Sequence, residues 1–152
     1  MKKSLFILLL YCLCVNVKSQ SEENYIVKEK FVFHQLDFLE TGTDRILDSF
    51  PDGSGVIINT EIGSQDFLII HIPGVYTYKL QIVNQVVDKP NTDCRVVMLQ
   101  GGETIEGQGA YTANIFFVYD LTKNENTPEF IRFQIHNSPN ILVFSGIIKL
   151  LD

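Results

Sequence analysis

Apolar and polar residues alternate with a period of two along most of this chain, and Gly, Pro and Asn cut the alternating runs at short intervals. Successive side chains point to opposite faces only in a β-strand, so the alternation fixes the element type and the punctuation fixes short connections. Val75 to Asn84 is the cleanest case. Tyr76, Tyr78, Leu80 and Ile82 take one face, while Thr77, Lys79, Gln81 and Val83 take the other.

The same reading runs along the chain. A first strand is predicted near residues 26–34, with Phe31 and Phe33 on one face. Leu36, Leu39, Thr43 and Leu47 sit at helical spacing, but Thr41-Gly42-Thr43 are poor helix formers. Residues 36–47 are therefore expected to be a loop with irregular or short strand structure. Pro51-Asp52-Gly53-Ser54-Gly55 is a turn by composition. Val56-Ile57-Ile58 and Phe67 to Ile72 are β-branched runs that read as a hairpin across Gly63-Ser64-Gln65-Asp66. Asp88 to Asp93 reads as a loop, Cys94 to Leu99 as a strand, Gly101-Gly102 as a turn and Thr104-Ile105 as a short return. Ala110 to Leu121 is apolar on both faces, which predicts deep burial. Phe130 to His136 alternates again, Asn137-Ser138-Pro139-Asn140 turns the chain, and Ile141 to Leu151 closes it. Eight or nine short strands without a long helix argue an all-β sandwich or barrel, and no internal repeat is evident.

The first nineteen residues stand apart. Met1-Lys2-Lys3 is basic, Leu5 to Val15 is apolar, and Val17 and Ser19 lie three and one before Gln20. This is the pattern of a secretory signal peptide cleaved after Ser19, and its apolar run is too short to span a bilayer as a helix. No transmembrane segment is expected elsewhere. Cys12 and Cys14 follow Tyr11 and Leu13, which are too large for a lipoprotein cleavage site. Residues 20–29 are expected to be a flexible N-terminal segment and 30–152 the folded domain. Without the leader, nine Lys and Arg face 18 Asp and Glu over 133 residues, a net charge of −9. Such an acidic chain lacks the electrostatic footprint of a nucleic-acid binder. The expected location is secreted or extracytoplasmic: periplasmic or at the cell surface if the cell is Gram-negative. The absence of any Asn-x-Ser/Thr triplet favours a bacterial source.

Searching for chemistry yields little. Cys94 is the one cysteine left after cleavage, so no intrachain disulfide forms, and its place with Val96 and Met98 on one strand face reads as a small buried hydrophobe. Pairing between chains is the alternative. His34, His71 and His136 are far apart in sequence and lack zinc-ligand spacing. Gly-x-Ser-x-Gly does not occur, and Gly101-Gly102-Glu103 puts an acid where a phosphate would sit. The acids from Asp88 to Asp93 lack EF-hand spacing and read as solvated. No catalytic residue, metal ligand or cofactor is therefore assigned, and the chain is read as not being an enzyme. The 17 Phe and Tyr are mainly core, with no Trp to build a sugar platform. Any remaining aromatic patch would serve self-association.

Two stretches carry a family resemblance. Phe67 to Leu80 contains Ile72-Pro73-Gly74-Val75-Tyr76-Thr77-Tyr78, in which Pro-Gly-x-Tyr opens an aromatic alternating strand. Phe130-Ile131-Arg132-Phe133-Gln134-Ile135-His136-Asn137 is followed after a turn by Leu142-Val143-Phe144-Ser145-Gly146-Ile147-Ile148-Lys149-Leu150. Together they resemble the complement C1q and tumour-necrosis-factor-like domain, over roughly residues 30–152, without a collagen-like stalk. The resemblance implies a jelly-roll β-sandwich of about eight to ten antiparallel strands, with both termini on neighbouring strands. It also implies a homotrimer that binds a ligand without catalysis. Tyr76, Tyr78, Phe117 and Phe133 are the candidate trimer-contact aromatics. The family's receptor-contacting and calcium-binding positions cannot be placed on this sequence, and the protein or glycan ligand stays open. The competing reading is a monomeric carbohydrate-binding or adhesin-like β-sandwich; a small exported enzyme using His71 or His136 with a carboxylate is the third.

Overall fold

Wherever β-branched and aromatic residues alternate with polar ones, the chain is extended and paired. The computed structural model describes residues 25–105 and 109–150; the leader at 1–19 and the start of the 20–29 segment lie outside the described residues. The strands are β1 (Tyr25–Phe33), β2 (Gln35–Glu40), β3 (Ile46–Phe50), β4 (Gly55–Ile62), β5 (Gln65–Ile72) and β6 (Tyr76–Asn91). They continue with β7 (Cys94–Ile105), β8 (Gly109–Asp120), β9 (Phe130–Ile135), β10 (Asn140–Ser145) and β11 (Ile148–Leu150). Among the described residues there is no helix, hence none long and apolar enough to cross a membrane.

The fold is all-β and antiparallel, a curled sheet enclosing one core in a sandwich-like manner, as the alternation predicts. Its order is β11-β1-β4-β5-β6-β7-β8-β9-β10-β2-β3. From β4 to β10 each strand pairs with its sequence neighbour, because most of the connections are tight turns that leave no room for a crossover. The non-consecutive pairs β1–β4, β10–β2 and β11–β1 are crossovers that bring the two ends of this meander together, consistent with the expected sandwich or jelly-roll-like fold. β1 runs into β2 through His34, and β10 runs into β11 through Gly146-Ile147. β2 pairs β10, β1 pairs β11, and the His34 N–H donates to the Ser145 carbonyl at 3.1 Å, so the sheet closes on itself at this corner. Gly146 makes the bend with φ 62°, where an added Cβ would also sit 3.3 Å from the His34 Cβ. The first and last strands are neighbours, as expected.

Four local expectations are corrected or narrowed. The strand begins at Tyr25, so the second half of the 20–29 segment belongs to the sheet. Within residues 36–47 the short-strand alternative holds in place of an irregular loop: β2 pairs β10, β3 pairs β2, and Thr41-Gly42-Thr43 is the turn between them. β6 continues to Asn91, so only a tight turn joins it to β7. Gly101-Gly102 lies inside β7; a Cβ on Gly101 would approach the Gln81 carbonyl oxygen to 2.7 Å, so the missing side chain serves close strand approach at the β6 bulge between Ile82 and Asn84.

The core is filled by side chains from every long strand. Phe31, Phe33, Ile57, Leu68, Ile70, Leu80, Ile115, Ile131, Phe133 and Phe144 are fully buried. The Phe33 and Phe144 rings pack at 4.6 Å across the closing corner. Each such burial is worth about 1.5–3 kcal/mol. Thr60 is the buried polar residue among them, and its hydroxyl donates to the Ile26 carbonyl at 2.8 Å. β3 is the exception, exposed throughout and paired only with β2. Its turn is tied back by Arg132, whose guanidinium donates to both Asp44 oxygens at 2.8 and 3.0 Å.

Candidate functional site

β5 pairs β6 only from Phe67↔Gln81 to Ile72↔Tyr76, whereas β7 follows β6 to Asn91. The β6–β7 hairpin therefore projects past β5, and a cavity of about 290 Å³ opens between it and the middles of β1 and β4. Val97, Leu99, Phe117 and Tyr119 form its inner wall, and Glu29, Asn59, Gln85 and Arg95 supply its polar groups.

Arg95 shares the inward parity of Val97 and Leu99 on β7, opposite Tyr119. Its guanidinium carbon lies 4.2 Å from the centre of the Tyr119 ring, and Nη2 donates to the Glu125 carbonyl at 2.6 Å. These contacts hold the cation side-on and leave its buried Nε–H without an acceptor among the described residues. Such a group costs roughly 1–3 kcal/mol until something accepts from it. Glu29 pairs with the Lys149 ammonium at 2.7 Å at the rim. Burial, reinforced by the negative charge of Glu29 and opposed by Arg95, pushes the Tyr119 phenol up to about 12, so it stays a neutral hydroxyl. The cavity thus combines an apolar inner wall with one cation that has unused donor capacity, a neutral phenol, two carboxamides and an ion-paired carboxylate, at about the lower end of the usual 300–1,000 Å³ of small-molecule pockets.

The four aromatics expected at a trimer interface separate. Phe117 and Phe133 are 4% and 0% exposed, so they are core residues and present no ring to a neighbouring subunit. Inward parity on β8 and β9 takes them there. Tyr78 is half-buried against Phe133 at 4.9 Å and Tyr111 at 6.5 Å. Burial pushes both phenols upward, and the Tyr111 hydroxyl donates to Glu103 at 2.5 Å. Tyr76 alone is well exposed, at 40%.

Cys94 is half-buried on the outward face of β7 with Val96 and Met98, where the sequence had suggested full burial. The inward face is Arg95, Val97 and Leu99. Sequence reasoning missed Arg95 by choosing the wrong parity for this strand; a charge among β-branched and apolar residues on one face was the available signal. His34 lies at the closing corner, the His71 ring bonds Thr77 at 2.7 Å, and His136 follows β9. Among the described residues no group of three His, Cys, Asp or Glu is placed to hold a metal. No protein-family model, no curated protein and no solved structure matches this chain.

Proposed function

We propose that this chain is an exported, non-catalytic binding and assembly module of the C1q and tumour-necrosis-factor-like type, and that its ligand enters the cavity between the β6–β7 hairpin and β1. One observation carries the binding part of this reading. The Nε–H of Arg95 is buried, with no acceptor among the described residues, beside a cavity lined by both apolar and polar side chains. A ligand carboxylate would supply that acceptor as a charge-assisted hydrogen bond while its apolar portion covers Val97, Leu99 and Phe117. Benzene occupies an engineered cavity of about 150 Å³, so about 290 Å³ suits an aromatic or medium-chain acid.

The test is calorimetric titration with hexanoate, octanoate and phenylacetate. Binding by the native chain that weakens about tenfold or more in Arg95→Gln supports the reading. Failure of all three acids to bind, or equal affinity in the variant, refutes it. Assembly as a trimer is tested separately by light scattering on the leaderless chain: a mass of three chains supports it, and a one-chain mass at micromolar concentration refutes it.

A further inference from the structure

On the face opposite the core, four carboxamides stand in one cross-strand row. The register pairs Asn84 with Gln100, Gln100 with Asn114 and Asn114 with Gln134, on β6, β7, β8 and β9 in turn. They alternate with the buried Leu99, Ala113, Ile115 and Phe133, so the row faces outward. Neighbouring strands lie about 4.8 Å apart, and three steps carry the amides over about 14 Å. The Asn84 side-chain amide donates to the Gln100 side-chain oxygen Oε1 at 3.2 Å. The next member breaks the chain of partners: the Asn114 side-chain oxygen is buried and has no donor among the described residues. A hollow of about 220 Å³ adjoins it, edged by Gln100, Thr112, Asn114 and His136.

The next row toward the β6–β7 turn is apolar. Val86 pairs Met98, and Met98 pairs Phe116. The following residue in that row, Arg132, is neutralised by its two bonds to Asp44. A band of uncharged donors and acceptors therefore lies beside an apolar band that ends in an aromatic ring.

We infer that this outer face of β6–β9 binds a neutral oligosaccharide about three units long. Each carboxamide offers a donor and an acceptor on one plane, which matches a pair of adjacent sugar hydroxyls. The apolar band would take the C–H face of the ring. The row holds no cation to favour phosphate or carboxylate over a neutral ligand, and an extended peptide would seek a strand edge for its backbone bonds, which the middle of a paired sheet does not provide. The inference is independent of the cavity around Arg95, which opens on the inner face.

The experiment is titration of the leaderless, nitrogen-labelled protein with cellotetraose, maltotetraose, mannotetraose and chitotetraose, followed by the side-chain amide signals of Asn84, Gln100, Asn114 and Gln134 in NMR spectra. One of these sugars is expected to move those four signals together and leave the backbone signals around Arg95 in place. Asn114→Ala, whose thermal melt checks its folding, is expected to weaken that sugar about tenfold, while Arg95→Gln leaves it unchanged. Absence of a shift with any of the four sugars, shifts located elsewhere, or unchanged affinity in folded Asn114→Ala overturns the inference. Should Asn114→Ala fail to fold, Gln100→Ala is read by the same criterion, alongside the wild-type shifts.

Discussion

Phe133 separates two roles that the sequence leaves open, because replacing it by Ala has opposite signatures if the ring holds a partner or holds the core. The ring is fully buried and packs on Tyr78 at 4.9 Å. Removing it deletes the transfer free energy of a whole aromatic side chain and leaves a cavity, a combination that costs about 3–5 kcal/mol. Unfolding entropy of about 2.1 cal/mol/K per residue, over roughly 125 folded residues, converts this to a fall in Tm of about 11–19 °C. A domain with about 5–15 kcal/mol of total stability loses a large share. The assay is thermal unfolding followed by circular dichroism at two protein concentrations, with light scattering on the same samples. The core reading expects the fall at both concentrations, with Tyr76→Ala, from a ring that is already 40% exposed, within about 1 kcal/mol of wild type. Should Phe133→Ala keep its Tm to within a few degrees and instead lower the particle mass, the burial argument is refuted.

Two further perturbations probe the cavity wall and the closing corner. Tyr119 has its folded pKa raised to about 12, above the unfolded value of about 10, so the unfolded chain loses this proton first and stability falls as pH rises between those values. Urea unfolding from pH 9 to pH 12 is expected to show Tyr119→Phe escaping about 2–3 kcal/mol of the alkaline loss suffered by wild type, and parallel pH profiles would reject this. Gly146→Ala places a side chain at φ 62° against His34 and is expected to lower stability by about 1–2 kcal/mol in the same assay; an unchanged midpoint would show that the bend tolerates a Cβ.

What the sequence discloses depends on whether a feature is periodic or relational. Tyr76 to Ile82 and Phe130 to Ile135 were legible because alternation is a local property, read without knowing the partner strand. Gly101-Gly102 was not, since glycine serves equally a turn with positive φ and a close approach between paired strands. Only the partner distinguishes the two uses. Residues 36–47 were obscured for a related reason: Leu36 and Leu39 are at helical spacing, yet β2 is a strand because β10 offers it backbone partners at the corner.

The two faces of β7 obey the same distinction. Arg95 was hidden because the strand from Cys94 to Leu99 carries apolar residues on both parities, and Val96 with Met98 gives an equally good inner face to Val97 with Leu99. β8 settles the choice, since its Phe117 and Tyr119 pair with Val97 and Arg95 and carry them inward. Once the parity is fixed, one strand contributes both surfaces: Arg95 to the inner cavity, Gln100 to the outer amide row. The two surfaces are thus coupled by register. A one-residue slip of β7 would turn Arg95 outward and bury Gln100 at the same time. The bulge between Ile82 and Asn84 and the close approach at Gly101 stand where they hold that register, so they fix which side chains of β7 face the cavity and which face the amide row.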